Sequence, residues 1–286
     1  MEMHREIVEV RAVVSRARRA GRPIGLVPTM GALHAGHLSL MQASRSDGCT
    51  TVVSIFVNPT QFGPREDFAR YPRDETGDLE KCRQAGVECV FLPDVKSMFR
   101  SRSVTTVQVG KLGDHLCGPF RPGHFVGVAT VVAKLFNIVQ PDRAYFGEKD
   151  AQQLAIIRRM ACDLDFPLEV VGCPTLREPD GLAMSSRNSY LTSGQRMQAT
   201  SIYRALTAAR ERILAGECDP VVVQLTCRKI LDDAGPHRVD YISVVDPEFL
   251  QPVDRIAGPV LVAMAIHIGA TRLIDNLRVD LPGGAS

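Results

Sequence analysis

Over residues 1–175, short continuous apolar runs alternate with longer stretches in which apolar residues recur at helical spacing. A run without polar positions predicts a strand buried on both faces, and the spaced pattern predicts an amphipathic helix. The predicted strands lie at 24–27, 51–57, 89–92 and 168–171, with a further short strand ending at 145–146. The predicted helices lie at 4–20, 37–45, 79–85, 126–139 and 151–164. This alternation predicts an α/β fold in which helices cover both faces of a parallel sheet.

The pattern changes between residues 174 and 190, where we place a domain boundary. Two predicted helices follow at 193–215 and 220–234, and predicted strands follow at 239–245, 260–268 and 272–276. Helices that precede a group of strands are typical of an α+β unit with a mostly antiparallel sheet. We therefore predict two domains, residues 1–175 and a smaller C-terminal α+β domain of residues 176–286.

Composition and charge exclude several classes of protein. Of the 286 residues, 45% are hydrophobic and 23% are charged, as in ordinary globular proteins. The formal net charge is +2, so the chain has no general basic field for nucleic acid or for a membrane surface. The most apolar run, 259–268, is about half the ~20 residues that a membrane span requires.

The N-terminus and the cysteines indicate a cytoplasmic protein. Glu2, Glu6 and Glu9 interrupt the first residues, and no apolar core of a signal peptide follows a basic start. The eight cysteines are scattered, without a C-x-x-C pair or the spacing of a metal finger. We therefore expect reduced, mostly buried thiols, with small molecules rather than nucleic acid or membranes as partners.

The first candidate site is the segment from Pro28 to His37, which connects a predicted strand to a predicted helix. A helix N-terminus offers free N–H groups and the positive end of the helix dipole, so it is a ready anion site. His34 and His37 add donors, and Gly36 lets a flat ligand approach the backbone closely. Two other interpretations stay open. The histidines either cap the helix or bind zinc, although no H-E-x-x-H motif and no third ligand lies nearby.

Other polar loops follow the carboxyl ends of the predicted strands, where open parallel sheets bind ligands. Gln61 offers a donor and an acceptor that suit hydroxyl groups and a carboxylate, the alternative being an ordinary surface amide in a turn. Lys149 is a candidate phosphate partner, and Asp150 is a candidate ribose ligand or a simple helix cap. Gln153 lies three residues beyond Asp150, so both side chains lie on one helix face.

Three further segments are candidates for anion contacts or for a lid. Residues 184–187, Met-Ser-Ser-Arg, combine two hydroxyls and a guanidinium in a glycine-bearing loop, which suits a phosphate. Arg121 and His124 either offer a second anion contact or form a turn and a helix cap. Residues 63–78 are charged and interrupted by proline and glycine, so they form either a mobile lid that excludes water or an inert loop.

The H-x-G-H motif at 34–37 and the M-S-S-R loop together resemble the superfamily that joins nucleotidylyltransferases and class I aminoacyl-tRNA synthetases. The synthetases have a lysine-containing K-M-S-K-S loop at this place. In this chain Ala183 and Ser186 stand at the lysine positions, and Arg187 supplies the charge. A closer resemblance, over nearly the whole chain, is to the pantoate–β-alanine ligase family. The stretches that carry it are 27–38, 56–63, 121–128, 145–154 and 181–191.

This resemblance implies a Rossmann-like sheet and a two-step reaction. ATP and pantoate form pantoyl adenylate and pyrophosphate, and the amine of β-alanine then displaces AMP to give pantothenate. The resemblance also implies a requirement for Mg²⁺ and a cytoplasmic homodimer. The resemblance further implies that the first domain, residues 1–175, binds ATP and pantoate, and that the second domain, residues 176–286, closes over the active site.

The resemblance also implies roles for individual residues. The catalytic groups are His37, His34, Lys149 and Arg187, with His37 as the proton donor to the phosphates. The ATP contacts are Pro28, Thr29, Met30, Gly31, Ala32, Leu33, His34, Ala35, Gly36, His37, Gly147, Glu148, Lys149, Asp150, Leu176, Met184, Ser185, Ser186 and Arg187. The contacts to pantoate or β-alanine are Gln61, Gln153, Asn58, Tyr71 and Arg121. Asp78 is a candidate Mg²⁺ ligand, the alternative being Mg²⁺ carried mainly by the phosphates.

Three other functions stay open from the sequence alone. A nucleotidylyltransferase transfers AMP to a phosphorylated small molecule and stops there, without consuming an amine. A tRNA-binding protein needs a basic stripe or an anticodon domain, and neither the charge balance nor the small second domain indicates one. A nucleotide sensor binds ATP without releasing pyrophosphate.

Overall fold

The structure, a computed structural model, describes residues 1–64, 66–99 and 103–281. Its strands are β1 (Glu2–His4), β2 (Ile24–Thr29), β3 (Thr50–Ile55), β4 (Cys89–Phe91), β5 (Arg143–Gly147), β6 (Glu169–Cys173), β7 (Arg238–Val245), β8 (Val260–Ile268) and β9 (Thr271–Val279). Its helices are α1 (Ile7–Arg19), α2 (Ala35–Ser46), α3 (Glu75–Gln84), α4 (Val95–Met98), α5 (His124–Val139), α6 (Ala151–Asp163), α7 (Ser193–Leu214) and α8 (Pro220–Asp233).

The chain divides into two compact units. Unit 1 comprises Met1–Val109, Arg121–Glu148 and Ile156–Thr175, and unit 2 comprises Gly110–Phe120, Lys149–Ala155 and the described residues from Leu176 onward. Two segments of the predicted first domain, 110–120 and 149–155, thus group with unit 2. Gln152 links them, since its side chain accepts a hydrogen bond from the backbone N–H of Cys117 and donates to the carbonyls of Leu112 and His115.

Unit 1 is built on a six-stranded sheet in the order β1-β4-β3-β2-β5-β6, in which the paired strands are parallel. The predicted α/β fold with a parallel sheet is thereby confirmed. From β2 the chain continues to β3 and β4 on one side, and it later adds β5 and β6 on the other side. Such a reversal of strand order opens a crevice beyond the carboxyl ends of β2 and β5, so the loops there lie at the ligand-binding edge.

Tertiary contacts change the ends of several predicted elements. Glu2–His4 form β1 and not the start of a helix, because they pair with Cys89–Phe91 of β4 and satisfy the backbone of that buried strand. The helix predicted at 4–20 accordingly begins at Ile7. The helix predicted at 79–85 begins at Glu75, because the Asp74 side chain accepts a hydrogen bond from the backbone N–H of Gly77 at 3.0 Å and caps the first turn.

Unit 2 contains an antiparallel sheet in the order β7-β8-β9. The predicted α+β arrangement is confirmed, and the candidate strand at 272–276 is part of β9. The core of this unit lies between the sheet and helices α7 and α8, and it includes Leu206, Cys227 and Met264. Alternating buried and half-buried residues in β9 show that this strand has one face on the core.

All eight cysteines are free, and six of them are buried. Burial raises the pKa of the thiols of Cys82, Cys89 and Cys227 to about 12, so these thiols stay protonated at neutral pH. Cys218 is half-buried and Cys162 is exposed. Within the described ranges, no helix combines the length and the apolar character needed to cross a bilayer.

Candidate active site

The loop after β2 has an unusual backbone conformation that Asp78 stabilises. Gly31 has a φ of +82° and Ala32 a φ of +49°, and the left-handed region is costly for a residue with a side chain. Asp78 of α3 accepts hydrogen bonds from the backbone N–H groups of Ala32 at 2.8 Å and Leu33 at 2.7 Å. A Cβ on Gly31 would lie 2.9 Å from Asp78 Oδ2. Glycine at this position therefore permits both the turn and the close approach of the carboxylate.

His34 and His37 cap the N-terminus of α2 reciprocally. His34 Nδ1 accepts a hydrogen bond from the backbone N–H of Gly36 at 3.1 Å, and His37 Nδ1 accepts one from the backbone N–H of His34 at 3.3 Å. The ring centroids are 4.1 Å apart. Because each Nδ1 is an acceptor, each neutral imidazole carries its proton on Nε2. The backbone thus determines the tautomer of both rings and makes both Nε2 atoms donors.

Several backbone amides of this loop donate to acceptors within the protein. Thr29 Oγ1 accepts a hydrogen bond from the backbone N–H of Gly31 at 3.2 Å, and Asp78 and the two imidazoles accept from the amides already described. The prediction that free amides at the helix N-terminus form the anion site is therefore wrong for these amides. The two imidazoles belong to the same hydrogen-bonded turn, because their Nδ1 atoms accept two of these amide hydrogen bonds.

Asp78 is buried and hydrogen-bonded to the loop after β2. The residue is 1% exposed, each of its carboxylate oxygens accepts a backbone hydrogen bond, and Lys81 Nζ lies 3.8 Å from Oδ1. Burial raises the pKa of this carboxyl, and the two amide donors oppose the rise by stabilising the ionised form. No group of three or more His, Cys, Asp or Glu side chains in the described ranges could hold a metal. Asp78 thus anchors the loop, and its role as a Mg²⁺ ligand stays a prediction.

We expect the substitution Asp78→Asn to lower kcat/KM for ATP about 10-fold or more. The asparagine keeps one acceptor but turns a donor toward one of the two loop amides, so the loop loses a hydrogen bond. Steady-state kinetics at several Mg²⁺ concentrations measure the effect, with Asp74→Asn as a control that alters a cap in the same helix. Recovery of full activity at high Mg²⁺ would instead identify Asp78 as a metal ligand.

Asn58 and Gln61, beyond the end of β3, form a buried amide network. Asn58 Nδ2 donates to Gln61 Oε1 at 3.0 Å and to Gly127 O at 3.2 Å, and Gln61 Nε2 donates to Met30 Sδ at 3.1 Å. Asn58 is 1% exposed and Gln61 is 8% exposed. A Cβ on Gly127 would lie 2.7 Å from Gln61 N, so glycine allows α5 to approach this loop. The network orients the Gln61 side chain next to the loop after β2.

Arg121 pairs with Glu66 in unit 1. Its Nε and Nη2 each lie 2.7 Å from a carboxylate oxygen of Glu66. Burial favours a higher pKa for Glu66, but the hydrogen bonds and charge of Arg121 hold that pKa below its ordinary value. His124 Nε2 accepts from Arg121 Nη1 at 2.8 Å, and its Nδ1 donates to Gln61 O at 2.8 Å. The Glu66 carboxylate neutralises the charge of Arg121, and the role of Arg121 as a substrate contact stays a prediction.

Residues of the predicted lid, 63–78, make side-chain contacts with other parts of unit 1. Tyr71 is 5% exposed, and its ring centroid lies 5.9 Å from that of Phe62 in an edge-on arrangement. Residues from Glu75 onward belong to α3, and Phe68–Arg70 form a short 3₁₀ turn. Arg65 lies outside the described residues. The alternatives of a moving lid and an inert loop stay predictions, although Tyr71 and the Glu66–Arg121 pair give the segment fixed contacts within unit 1.

Unit 1 brings several of the predicted site residues to one edge of its sheet. The segment Pro28–His37 begins in the last two residues of β2, Asn58 and Gln61 follow β3, and Gly147 and Glu148 lie at the end of β5. These three strands are neighbours in the order β3-β2-β5, and they are parallel. Their carboxyl ends therefore meet at the crevice where the strand order reverses.

Unit 2 contains the other predicted contacts, which are Lys149, Asp150, Gln153, Leu176, Met184, Ser185, Ser186 and Arg187. The carbonyl of Lys149 accepts a hydrogen bond from Asn276 Nδ2 of β9 at 2.8 Å. Asp150 is exposed, Lys149 and Gln153 are half-buried, and Leu176 is 40% exposed. The backbone of Lys149 is thus tied to the antiparallel sheet.

Hydrogen bonds within unit 2 also hold the 184–187 segment. Ser185 Oγ accepts from the backbone N–H of Arg187 at 3.3 Å and begins the 3₁₀ turn Ser186–Tyr190. Asn188 Nδ2 donates to Ala183 O at 3.1 Å, and the backbone N–H of Met184 donates to Leu176 O at 3.0 Å. The segment is therefore an ordered turn with partners on both sides of the Met-Ser-Ser-Arg motif.

A buried ion pair in unit 2 was missed by the sequence reasoning. Arg177 Nη1 lies 2.6 Å from Asp275 Oδ2, and Nη2 lies 3.0 Å from Oδ1. Burial raises the pKa of the Asp275 carboxyl, and the guanidinium opposes this rise. The signal available in the sequence is an aspartate at a core-facing position of β9, between Leu273 and Leu277, since such a charge needs a partner.

Comparison with known proteins assigns the family. A family model described as pantoate-beta-alanine ligase matches residues 2–278. The chain belongs to the pantoate-beta-alanine ligase family. It is 53% identical to the pantothenate synthetase of Moorella thermoacetica over 281 residues, which are 98% of this chain and 99% of that relative. It is 49% identical to the pantothenate synthetase of Caldicellulosiruptor saccharolyticus over 276 residues, which are 96% of this chain and 98% of that relative.

Solved structures of the pantoate-beta-alanine ligase family have the same fold. The pantothenate synthetase of Thermus thermophilus matches with a TM-score of 0.92 and 46% identity, over 97% of this chain and 99% of that one. The pantoate-beta-alanine ligase of Francisella tularensis, complexed with beta-gamma ATP and beta-alanine, matches with a TM-score of 0.79 and 32% identity, over 97% of both chains. The family indicated by the stretches 27–38, 56–63, 121–128, 145–154 and 181–191 is confirmed.

Proposed function

We propose that the chain joins pantoate and β-alanine in an ATP-dependent reaction that forms pantothenate, AMP and pyrophosphate through pantoyl adenylate. The observation that carries the proposal is the pair of imidazoles at the N-terminus of α2, whose Nδ1 atoms accept backbone hydrogen bonds in a loop anchored by Asp78. Membership of the pantoate-beta-alanine ligase family over residues 2–278 supports the choice of substrates.

In the first step, a carboxylate oxygen of pantoate attacks the α-phosphorus of ATP, and the bond from this phosphorus to the pyrophosphate oxygen breaks. Negative charge develops on the phosphate oxygens, so preorganised N–H donors lower the barrier. We assign this role to His34 and His37, with His37 as the donor to the phosphates. The protein forms no bond itself, so orientation of the two reactants is its other contribution.

In the second step, the amine of β-alanine attacks the carboxyl carbon of the adenylate, the bond from this carbon to the AMP oxygen breaks, and the amine nitrogen loses a proton. Gln61 is the proposed contact for both pantoate and β-alanine, because an uncharged amide suits hydroxyl and carboxylate groups. The hydrogen bond from Asn58 holds the Gln61 amide in place. Asn58 and Tyr71 are proposed as further pantoate contacts.

The residues of unit 2 have proposed roles of their own. Lys149 and Arg187 supply positive charge for the triphosphate, since ammonium and guanidinium groups bind phosphate oxygens strongly. Asp150, Leu176 and Met184–Ser186 are proposed as the remaining ATP contacts, and Gln153 as a pantoate contact. The proposal includes the predicted domain roles, in which residues 1–175 bind ATP and pantoate and residues 176–286 close over them.

Mg²⁺ enters the proposal as part of the substrate, MgATP. The acidic residues in the described ranges do not form a cluster that fits a resident metal ion. Mg²⁺ is commonly held by substrate phosphates and water with few protein ligands. A homodimer and a cytoplasmic location are further proposals from the family resemblance, and sedimentation of the purified protein at several concentrations tests the first of them.

The deciding experiment measures pyrophosphate release from ATP, D-pantoate and Mg²⁺ with and without β-alanine. We expect a burst without β-alanine, because the adenylate stays bound, and continuous release together with AMP when β-alanine is present. Release that needs a phosphorylated acceptor and no amine would indicate a nucleotidylyltransferase. Binding of ATP without pyrophosphate release would indicate a nucleotide sensor.

We expect Gln61→Ala and Gln153→Ala to lower kcat/KM for pantoate at least about 10-fold, because each leaves polar groups of pantoate without a partner. The affinity for ATP should change little, since charged groups hold the triphosphate. Titration calorimetry with ATP and kinetics with varied pantoate measure the two effects. Gln42→Ala is the matched control, because Gln42 is an exposed residue of α2 that bonds Ser46. A large loss of ATP affinity with an unchanged pantoate dependence would reverse the assignment.

A further inference from the structure

Asp275 and Asn276 are consecutive residues of β9 whose side chains reach two different segments of unit 2. Successive side chains of a strand point to opposite faces of the sheet. Leu273 and Leu277, two residues to either side of Asp275, pack with the core of unit 2. Asp275 is 3% exposed on this core face, whereas Asn276 is half-buried on the other face.

The Asp275 carboxylate holds the turn that leads into the 184–187 segment. It forms a bidentate pair with Arg177, and Arg177 Nη1 also donates to Gly181 O at 3.1 Å. The backbone of Arg177 forms an isolated antiparallel bridge with Ala183, the residue before Met184. The guanidinium carbon lies 4.0 Å from the centroid of the Tyr203 ring, which fixes the plane of the group. The turn 177–183 is thus closed on itself and anchored to β9.

The Asn276 side chain holds the segment that contains Lys149. Its Nδ2 donates to the carbonyl of Lys149 at 2.8 Å, and Arg177 Nη2 lies 3.4 Å from the carbonyl of Asn276. Two adjacent residues of one strand therefore connect the backbone of Lys149 with the turn before Met184. A regular strand is a rigid element, so this connection keeps the two segments at a constant separation.

We propose that Asp275 and Asn276 are positioning residues that hold Lys149 and the 184–187 segment in a fixed arrangement for the phosphates of ATP. The inference rests on the proposed function for the identity of the ligand. Neither residue needs to touch ATP. Their effect is preorganisation, because cations already in place lose less conformational freedom when the ligand binds.

The first test is Asn276→Asp, which preserves the shape of the side chain and turns an oxygen toward the carbonyl of Lys149. The carbonyl then loses its donor and faces a like partial charge. We expect the dissociation constant and KM for ATP to rise roughly 10-fold, while KM for pantoate changes less than about 2-fold. Asn276→Ala is the second variant. Water replaces the lost donor there, so we expect a smaller rise in the dissociation constant and KM for ATP.

Arg177→Lys tests the other half of the connection, because lysine preserves the charge and loses the bidentate geometry. Asp240→Asn is the matched control. Asp240 belongs to β7 and pairs with Arg272 at 2.8 Å. The Asp240 side chain is 7% exposed and that of Arg272 is 19% exposed. These values are close to those of the other pair, in which the Asp275 side chain is 2% exposed and that of Arg177 is 16% exposed. We expect Arg177→Lys to weaken ATP binding roughly 10-fold, and Asp240→Asn to lower the melting temperature without this effect.

Titration calorimetry with MgATP measures the ATP affinity of each full-length variant, and thermal unfolding measures its stability. ATP binding that is unchanged in folded Asn276→Asp and Arg177→Lys proteins would overturn the inference. An equal weakening in Asp240→Asn would also overturn it, because the effect would then be general loss of stability. If the unaltered protein binds ATP but forms no pantoyl adenylate, the proposed function fails by itself, and the comparison of ATP affinities still tests the positioning role.

Discussion

Replacing His37 by alanine is expected to lower turnover about 10²–10³-fold while the protein remains folded. Nδ1 of His37 accepts a hydrogen bond from the backbone N–H of His34, so the ring is fixed with its proton on Nε2. A donor fixed in advance stabilises the charge that develops on the phosphates without reorganisation. Loss of the cap itself costs about 1 kcal/mol, a small part of the ~5–15 kcal/mol that stabilises a domain.

Two conservative variants separate capping from catalysis at this position. In His37→Asn, the side-chain oxygen replaces Nδ1 as acceptor, but no donor reaches the place of Nε2. In His37→Gln, the longer amide brings an N–H donor to that place. We expect the asparagine variant to be stable and slow, and the glutamine variant to recover part of the turnover. Single-turnover kinetics and thermal unfolding measure both properties, and near-normal turnover of a folded His37→Ala protein would remove His37 from the mechanism.

Replacing Lys149 or Arg187 by alanine is expected to slow adenylate formation about 10²–10³-fold and to spare the second half-reaction. Both cations are proposed to neutralise the triphosphate, which leaves as pyrophosphate in the first step. One phosphate remains in the adenylate, so less charge develops near these groups when β-alanine attacks. The two steps should therefore respond differently to the same substitution.

Rapid-quench measurement of each half-reaction tests this expectation. Preformed pantoyl adenylate and β-alanine, supplied to the Lys149→Ala or Arg187→Ala protein, should yield pantothenate at a rate within a few-fold of normal. Lys229→Ala is the matched control, because Lys229 is 77% exposed on α8 and pairs with Asp233. An equal fractional loss in both steps would mean that these cations organise the whole site, and their role as a phosphate clamp would have to be given up.

Local pattern was sufficient to predict most elements of the fold. The apolar runs at 24–27 and 89–92 coincide with β2 and β4 to within a residue or two, because a strand buried on both faces has a composition that can be read from the sequence. The strand Glu2–His4 could not be predicted in this way. Glu2 and His4 are polar, Glu2 and Met3 are exposed, and the three residues are extended because they pair with β4 across a long separation in the chain.

At the candidate site, too, local features could be predicted from the sequence and distant partners could not. The H-x-G-H and M-S-S-R motifs could be found in the sequence, because each places its functional groups within a few neighbouring residues. The partners of these motifs could not be found, because Asp78 and Asp275 lie far along the chain from the turns that they hold. Asp78, the last residue of the predicted lid, is a candidate metal ligand from the sequence, and its two amide donors identify it as an anchor of the loop after β2.

The sequence by itself determined the order of most strands and helices, the parallel sheet of unit 1 and the family to which the chain belongs, because these depend on hydrophobic period and on short motifs. The tertiary structure decided the protonated nitrogen of each imidazole, the pairing of Arg121 with Glu66 and the anchoring of two loops by buried carboxylates. The physical reason is that a hydrogen bond or an ion pair depends on distance and direction between atoms. Burial decides its strength, and none of these quantities exists before the chain has folded.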